Sequence, residues 1–111
     1  MIISTFEFDK QWEKMGLTDN ERRLLENEIL CNPHLGAVIK GTSGLRKIRF
    51  AIEGQGKRGG SRVLYIDFVV YRRVYLITAY PKNQKVDITA DEKTLFNKLI
   101  EQTKKELEGK L

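Results

Sequence analysis

The side chains best suited to chemistry in this sequence are cations interleaved with tyrosines. They are Lys47, Arg49, Lys57, Arg58, Arg62, Arg73 and Lys82, with Tyr65, Tyr75 and Tyr80 on the same segments. Lysine and arginine bind phosphates, and aromatic rings or guanidinium planes stack on unpaired bases, so the combination suits RNA better than a small metabolite. The alternative interpretation is that these are solvated residues of strands and loops.

The positive charge is concentrated in one glycine-rich segment. The 111 residues carry 20 Lys and Arg against 15 Asp and Glu, a net charge of +5. Residues 40–62 alone hold seven cations and one acid, a net +6, together with six of the nine glycines. This concentration favours a binding surface over scattered solvated residues, because a local positive field attracts polyanions.

Other kinds of chemistry lack the residues they need. One histidine (His34), one cysteine (Cys31) and scattered acids provide neither a clustered metal-ligand set nor a nucleophilic triad. The glycine loop at 54–61 lies between two predicted strands, whereas a phosphate-binding loop needs a helix N-terminus there. A lone cysteine, no signal-peptide pattern and no long apolar run predict a cytoplasmic protein with no disulfide and no membrane association.

These residues must be positioned by a small set of strands and helices. Periodicity and turn residues predict a strand over 2–6, helical segments ending at Asn32-Pro33, strands over 45–51, 62–70 and 74–80, and a C-terminal helix. Capping-box patterns at Thr18 and Thr89 mark helix starts. The order predicts one α+β domain over 1–111, in which N-terminal helices and a C-terminal helix pack on one face of a small, mainly antiparallel sheet. The cations would lie on the other face of the sheet and in its loops.

Four motifs in this order resemble the HigB branch of the RelE/ParE toxin superfamily. They are N-P-x-x-G at 32–36, G-T-x-G-L-R-K-x-R at 41–49, G-K-R-G-G-x-R-V-x-Y at 56–65, and Tyr80-Pro81-Lys82-Asn83. The resemblance covers nearly the whole chain and is most specific between Asn32 and Asn83. It implies a RelE-like, microbial ribonuclease-type fold.

The resemblance also implies an activity and partners. Members of this branch are toxins of type II toxin–antitoxin systems, metal-independent and cofactor-free endoribonucleases that cut messenger RNA in the ribosomal A site. The implied partners are the ribosome with its small-subunit RNA, messenger RNA, and a HigA-type helix-turn-helix antitoxin that holds the complex on operator DNA.

Residue roles follow from the same resemblance. The implied catalytic residues are Arg62, Lys82, Tyr80 and Arg49, and the implied RNA-binding residues are Lys47, Lys57, Arg58, Arg46 and Arg73. Arg62 would stabilise transition-state charge, and Lys82 would act as proton donor. Some RelE members carry a catalytic tyrosine or histidine just before the C-terminal helix, where this sequence has Val86-Asp87-Ile88-Thr89. The general base is therefore open between a lysine of lowered pKa, Tyr80 and Asp87.

Two other functions fit the same residues. A non-catalytic, ParE-like inhibitor of DNA gyrase fits the absence of an obvious general base, and a plain RNA-binding module fits the basic segment. The density of cations in residues 40–62 argues against the gyrase inhibitor.

Overall fold

The computed structural model describes residues 1–50, 60–84 and 87–109. In chain order the elements of this part are β1 (Ile2–Ser4), α1 (Phe6–Lys14), α2 (Asp19–Cys31), β2 (Ala37–Val38), β3 (Arg46–Phe50), β4 (Ser61–Phe68), a 3-10 helix (Val69–Tyr71), β5 (Arg73–Pro81) and α3 (Ala90–Glu108). The described strands form one five-stranded sheet in the order β1-β5-β4-β3-β2. All neighbours are antiparallel except β1, which runs parallel to β5. The predicted α+β class is confirmed.

Helix starts follow the two capping boxes predicted from sequence. The Thr18 hydroxyl accepts from the Glu21 backbone N–H at 3.2 Å, and the Glu21 carboxylate accepts from the Thr18 N–H at 2.9 Å. Thr89 begins α3 with the same reciprocal pair. Each box satisfies two backbone donors that a helix N-terminus leaves open, so α2 and α3 begin at the residues that the patterns predict.

The helices lie on both faces of the sheet, which corrects the prediction of one covered face. Val63 and Tyr65 of β4 belong to an apolar cluster with α1 and α2, whereas Leu64 and Ile66 belong to a second cluster with Phe96 of α3. Successive strand residues point to opposite faces, so β4 is buried on both sides. Its nearly continuous apolar run is the signal of two-sided burial.

Two connections also differ from the sequence prediction. The first strand ends at Ser4 because Thr5 caps α1, its hydroxyl accepting from the Phe8 N–H at 3.0 Å. The predicted strand over 62–70 ends at Phe68, where a 3-10 turn leads to Arg72 in the left-handed region with φ 52°. The two-residue strand β2 was not predicted. The tight reversal after Phe68 sets the pairing of β4 with β5.

A buried tyrosine fixes the turn before β2. The Tyr65 hydroxyl accepts from the Gly36 N–H at 2.9 Å and donates to the Pro33 carbonyl at 2.8 Å. Arg46 donates to the Gly36 carbonyl at 2.7 Å from the same side of the sheet. A Cβ at Gly36 would lie 2.6 Å from Ile48, so only glycine fits this close approach. The turn thereby holds the start of β3 in place.

Candidate functional site

Three of the four predicted catalytic residues form a row across the sheet. Arg49 of β3 is directly opposite Arg62 of β4, and Arg62 is directly opposite Tyr80 of β5. Directly opposed residues of antiparallel strands have Cβ atoms about 4.5–5.5 Å apart and point to the same face. The strand register therefore brings together residues that are up to 31 positions apart in the sequence.

The row lies on the α3 face, at the end of the sheet where the second apolar cluster stops. Tyr80 belongs to that cluster together with Leu64 and Phe96. Arg62 is half-buried and Arg49 is exposed, so their guanidinium groups are at the boundary between the apolar cluster and solvent. The positive charges of Arg49 and Arg62 repel each other, because like charges directly opposite on neighbouring strands are unfavourable. An anion bound between them would relieve that repulsion.

Lys47 extends the row along β3 and carries an ion pair. It lies two residues before Arg49 and hence on the same face. Its ammonium Nζ is 2.6 Å from the carboxylate Oδ1 of Asp87, whose side chain is 70% exposed. The hydrogen bond and the charge of Lys47 lower the pKa of Asp87, with a smaller contribution from Lys93. Asp87 is consequently ionised at neutral pH.

Tyr80 contributes a buried ring and a protonated hydroxyl. Tyr80 is only 3% exposed and belongs to the cluster with Phe96 of α3, so its ring offers little surface on which a base could stack. Burial raises the pKa of Tyr80, the charge of Asp87 raises it further, and the charge of Arg62 opposes the shift. The phenol therefore stays neutral at physiological pH and sits within the field of both charged groups.

The other predicted site residues fall in different places. Lys82 is exposed in the turn after β5, where its backbone N–H donates to the Gly60 carbonyl at 3.3 Å, next to the row. Arg46 points to the opposite face, because it is next to Lys47 on β3 and binds the 32–36 turn. Arg73 pairs with Phe68, six positions along β4 from Arg62 or about 20 Å away. Lys57 and Arg58 lie outside the described residues.

Two side-chain contacts involve residues that the sequence presents as isolated. His34, for which the sequence shows no orienting group, has its Nε2 3.1 Å from the Asp67 carboxylate on β4. The Lys47–Asp87 pair joins β3 to the segment before α3, 40 positions apart. No local pattern marks either pair, because both partners are brought together only by the sheet and its packing.

Metal clusters and membrane spans are both absent from the described part of the chain. Among residues 1–50, 60–84 and 87–109, no three His, Cys, Asp or Glu side chains are grouped closely enough to hold a metal ion. No described helix combines the length and the apolar composition needed to cross a membrane.

The described strands and helices form a small α+β protein, and a basic row lies at one end of its sheet. Two comparisons with known proteins concern its family and its fold. The family model described as the RelE toxin of the RelE/RelB toxin–antitoxin system matches residues 4–111. Among solved structures, a double arginine-to-alanine mutant of the E. coli toxin RelE in the free state is similar in fold. It is 20% identical and has a TM-score of 0.54, with 77% of this chain and 85% of that chain covered.

The chain belongs to the RelE toxin family. It is accordingly the toxin of a toxin–antitoxin pair, with a cognate antitoxin as partner. Membership also supports an endoribonuclease activity in general.

Proposed function

We propose that the protein is a HigB-type messenger RNA interferase, which cleaves translated messenger RNA in the ribosomal A site without a metal ion or cofactor. The observation that carries the proposal is the pair of directly opposed arginines, Arg49 and Arg62, with Lys47 beside them. Such a row of cations on one face matches the negative charge of a phosphodiester in an RNA strand.

The proposed reaction is in-line attack of a 2′-hydroxyl on the adjacent phosphorus. The bond from the 2′-oxygen to phosphorus forms while the bond from phosphorus to the 5′-oxygen breaks, leaving a 2′,3′-cyclic phosphate and a 5′-hydroxyl. Arg62 and Arg49 donate hydrogen bonds to the non-bridging oxygens, where negative charge grows in the transition state. Lys82, exposed beside the row, donates a proton to the departing 5′-oxygen.

Asp87 is the general base that the geometry favours among the three candidates. Tyr80 is buried, and its raised pKa makes the phenol a poor source of phenolate. The ammonium of Lys47 is already engaged by the Asp87 carboxylate. Asp87 is exposed and ionised, and a phosphate that binds Lys47 would remove the main cause of its low pKa. Substrate binding would thus make this carboxylate a stronger base. The Tyr80 hydroxyl would then orient the nucleophile.

The proposed setting is the bacterial translation machinery. Small-subunit ribosomal RNA would complete the site, with the basic residues of 40–62, including Lys57 and Arg58, contacting RNA phosphates. A HigA-type helix-turn-helix antitoxin would neutralise the toxin and hold the complex on operator DNA. The protein would act in the cytoplasm.

The decisive test compares Arg62→Ala with Arg23→Ala. Both variants lose one arginine, but Arg23 is an exposed residue of α2, which packs on the face of the sheet opposite the row. We expect Arg62→Ala to lower the rate of codon-linked cleavage about 10²–10³-fold and to abolish growth arrest, because one transition-state donor is removed. Arg23→Ala should cleave normally. Primer extension in a translating extract measures the cuts, and thermal unfolding checks that both variants are folded.

The proposal is wrong if wild-type protein leaves messenger RNA intact while translation proceeds. Inhibition of gyrase supercoiling by the wild-type protein would support the ParE-like alternative. Salt-dependent RNA binding without cleavage or toxicity would support a plain RNA-binding module.

A further inference from the structure

A second basic feature adjoins the catalytic row. A cleft of about 360 Å³ lies between β2, the start of β3 and the N-terminal part of α3. Lys40 follows β2, Lys47 belongs to β3 and Lys93 belongs to the first turns of α3, so three separate elements each direct a lysine to the same cleft. One carboxylate, Asp87, also lines it.

The charges in this cleft are unbalanced. Asp87 pairs with Lys47, and its pKa is lowered by Lys47 and also by Lys93, so one carboxylate interacts with two ammonium groups. Neither Lys40 nor Lys93 forms a salt bridge with any other described residue. Three cations and one anion leave a net charge of about +2 in the cleft at neutral pH. That excess attracts an anion.

Part of the lining of the cleft is apolar. It includes Val38, which is 52% exposed, with Ile39 and Ile88 beside it. A nucleotide combines the same two chemistries, since its phosphate is anionic and the faces of its base are apolar. A small inorganic anion would use only the lysines.

We propose that the Lys40–Lys47–Lys93 cleft binds a backbone phosphate of the RNA strand one nucleotide step away from the cleaved phosphodiester. The inference rests on the proposed function, because the position of this phosphate is defined relative to the phosphodiester that the row is proposed to cleave. Lys47 and Arg49 are two residues apart on β3, or about 6.6 Å. One nucleotide step of an extended RNA strand can span this distance between two phosphates. In the free protein the Asp87 carboxylate binds the Lys47 ammonium, and an RNA phosphate that enters the cleft replaces this carboxylate.

The test measures binding of an RNA octamer that carries 2′-O-methyl groups and so cannot be cleaved. Fluorescence polarisation at several salt concentrations gives the affinity and its salt dependence for the full chain. Lys40→Ala/Lys93→Ala is compared with Lys98→Ala/Lys105→Ala, which removes two exposed α3 lysines that do not line the cleft. Removing one lysine that neutralises a phosphate lowers the slope of log affinity against log salt by about 0.7 for a single strand.

We expect the slope to fall by about 0.7 to 1.4 in the cleft variant and to stay unchanged in the control. Asp87→Asn should strengthen binding about two- to fivefold at low salt, because it removes the anion that competes for Lys47. If the Lys47–Asp87 ion pair only stabilises the fold, Asp87→Asn should instead bind the octamer more weakly. An unchanged slope in the cleft variant, no gain with Asp87→Asn, or no binding by the wild-type chain each overturns the proposal.

The assay separates this inference from the proposed function. The octamer needs no ribosome and no chemical step, so lysine-dependent binding by a protein that fails to cleave messenger RNA leaves the cleft assigned and refutes only the interferase. Cleavage by a protein whose octamer binding ignores Lys40 and Lys93 refutes only the cleft.

Discussion

Replacing Tyr65 by phenylalanine tests the idea that one hydroxyl holds the turn before β2. Tyr65 is fully buried, and its hydroxyl is the acceptor for the buried Gly36 N–H. Without the hydroxyl that donor stays buried and unsatisfied, which costs about 1–3 kcal/mol. The bond to the Pro33 carbonyl adds little, because Pro33 is half-exposed and water can replace it. At about 4 °C per kcal/mol for a domain of this size, Tm should fall by about 4–12 °C.

The same substitution has a signature in pH. Burial raises the pKa of Tyr65 above its usual value of 10.0. A folded-state pKa above the unfolded one stabilises the fold below pH 10, and that contribution is lost as pH rises above 10. Phenylalanine cannot lose a proton, so the stability gap between wild type and Tyr65→Phe should narrow above pH 10.

Urea unfolding at pH 7 and above pH 10 measures both effects. The matched control is Tyr75→Phe, whose ring packs edge-on against Phe68 and whose hydroxyl makes no hydrogen bond with another described residue. A loss below about 0.5 kcal/mol for Tyr65→Phe at pH 7, no larger than ordinary surface substitutions cause, would refute the clamp. A stability gap that stays constant above pH 10 would contradict the raised pKa of Tyr65.

Two further predictions concern charge and space. Arg49→Gln should raise the free energy of unfolding by about 0.2–1 kcal/mol by removing repulsion from Arg62, while it weakens RNA cleavage. Urea unfolding in low and 1 M salt checks this, and a gain that is not screened by salt contradicts it. Gly36→Ala should destabilise by at least about 1–3 kcal/mol, since its Cβ would meet Ile48 at 2.6 Å. Gly109→Ala, whose Cβ has ordinary contacts from 3.5 Å, should instead gain up to about 1 kcal/mol, and thermal unfolding of both variants distinguishes the two effects.

Local patterns predicted most of the elements. The capping boxes at Thr18 and Thr89 and the stop at Pro33 act through neighbouring residues, so the sequence contains all the information they need. The side of α3 that packs on the sheet is narrow, because Leu95 and Leu99 are 63% and 37% exposed. A helix of period 3.6 shows which residues share a side, but the shape of the sheet decides how much of that side is covered.

Non-local relations could not be predicted in the same way. The parallel pairing of β1 with β5 and the placement of helices on both faces depend on which segments meet after folding. For the site, Lys47 and Arg49 share one face of β3, whereas the resemblance grouped Arg46 and Arg73 with Lys47 as RNA-binding residues. The strand register places Arg46 on the opposite face of the sheet and Arg73 about 20 Å from the row.

The alternation along β3 has a consequence for folding fidelity. A slip of β3 by one residue against β4 would turn Lys47 and Arg49 into the apolar cluster under α1 and α2, and would expose Ile48 and Phe50. Burying unpaired cations there costs several kcal/mol, so the wrong pairing is strongly disfavoured. The cations that we propose bind RNA therefore also favour the correct register of β3 against β4 while the chain folds.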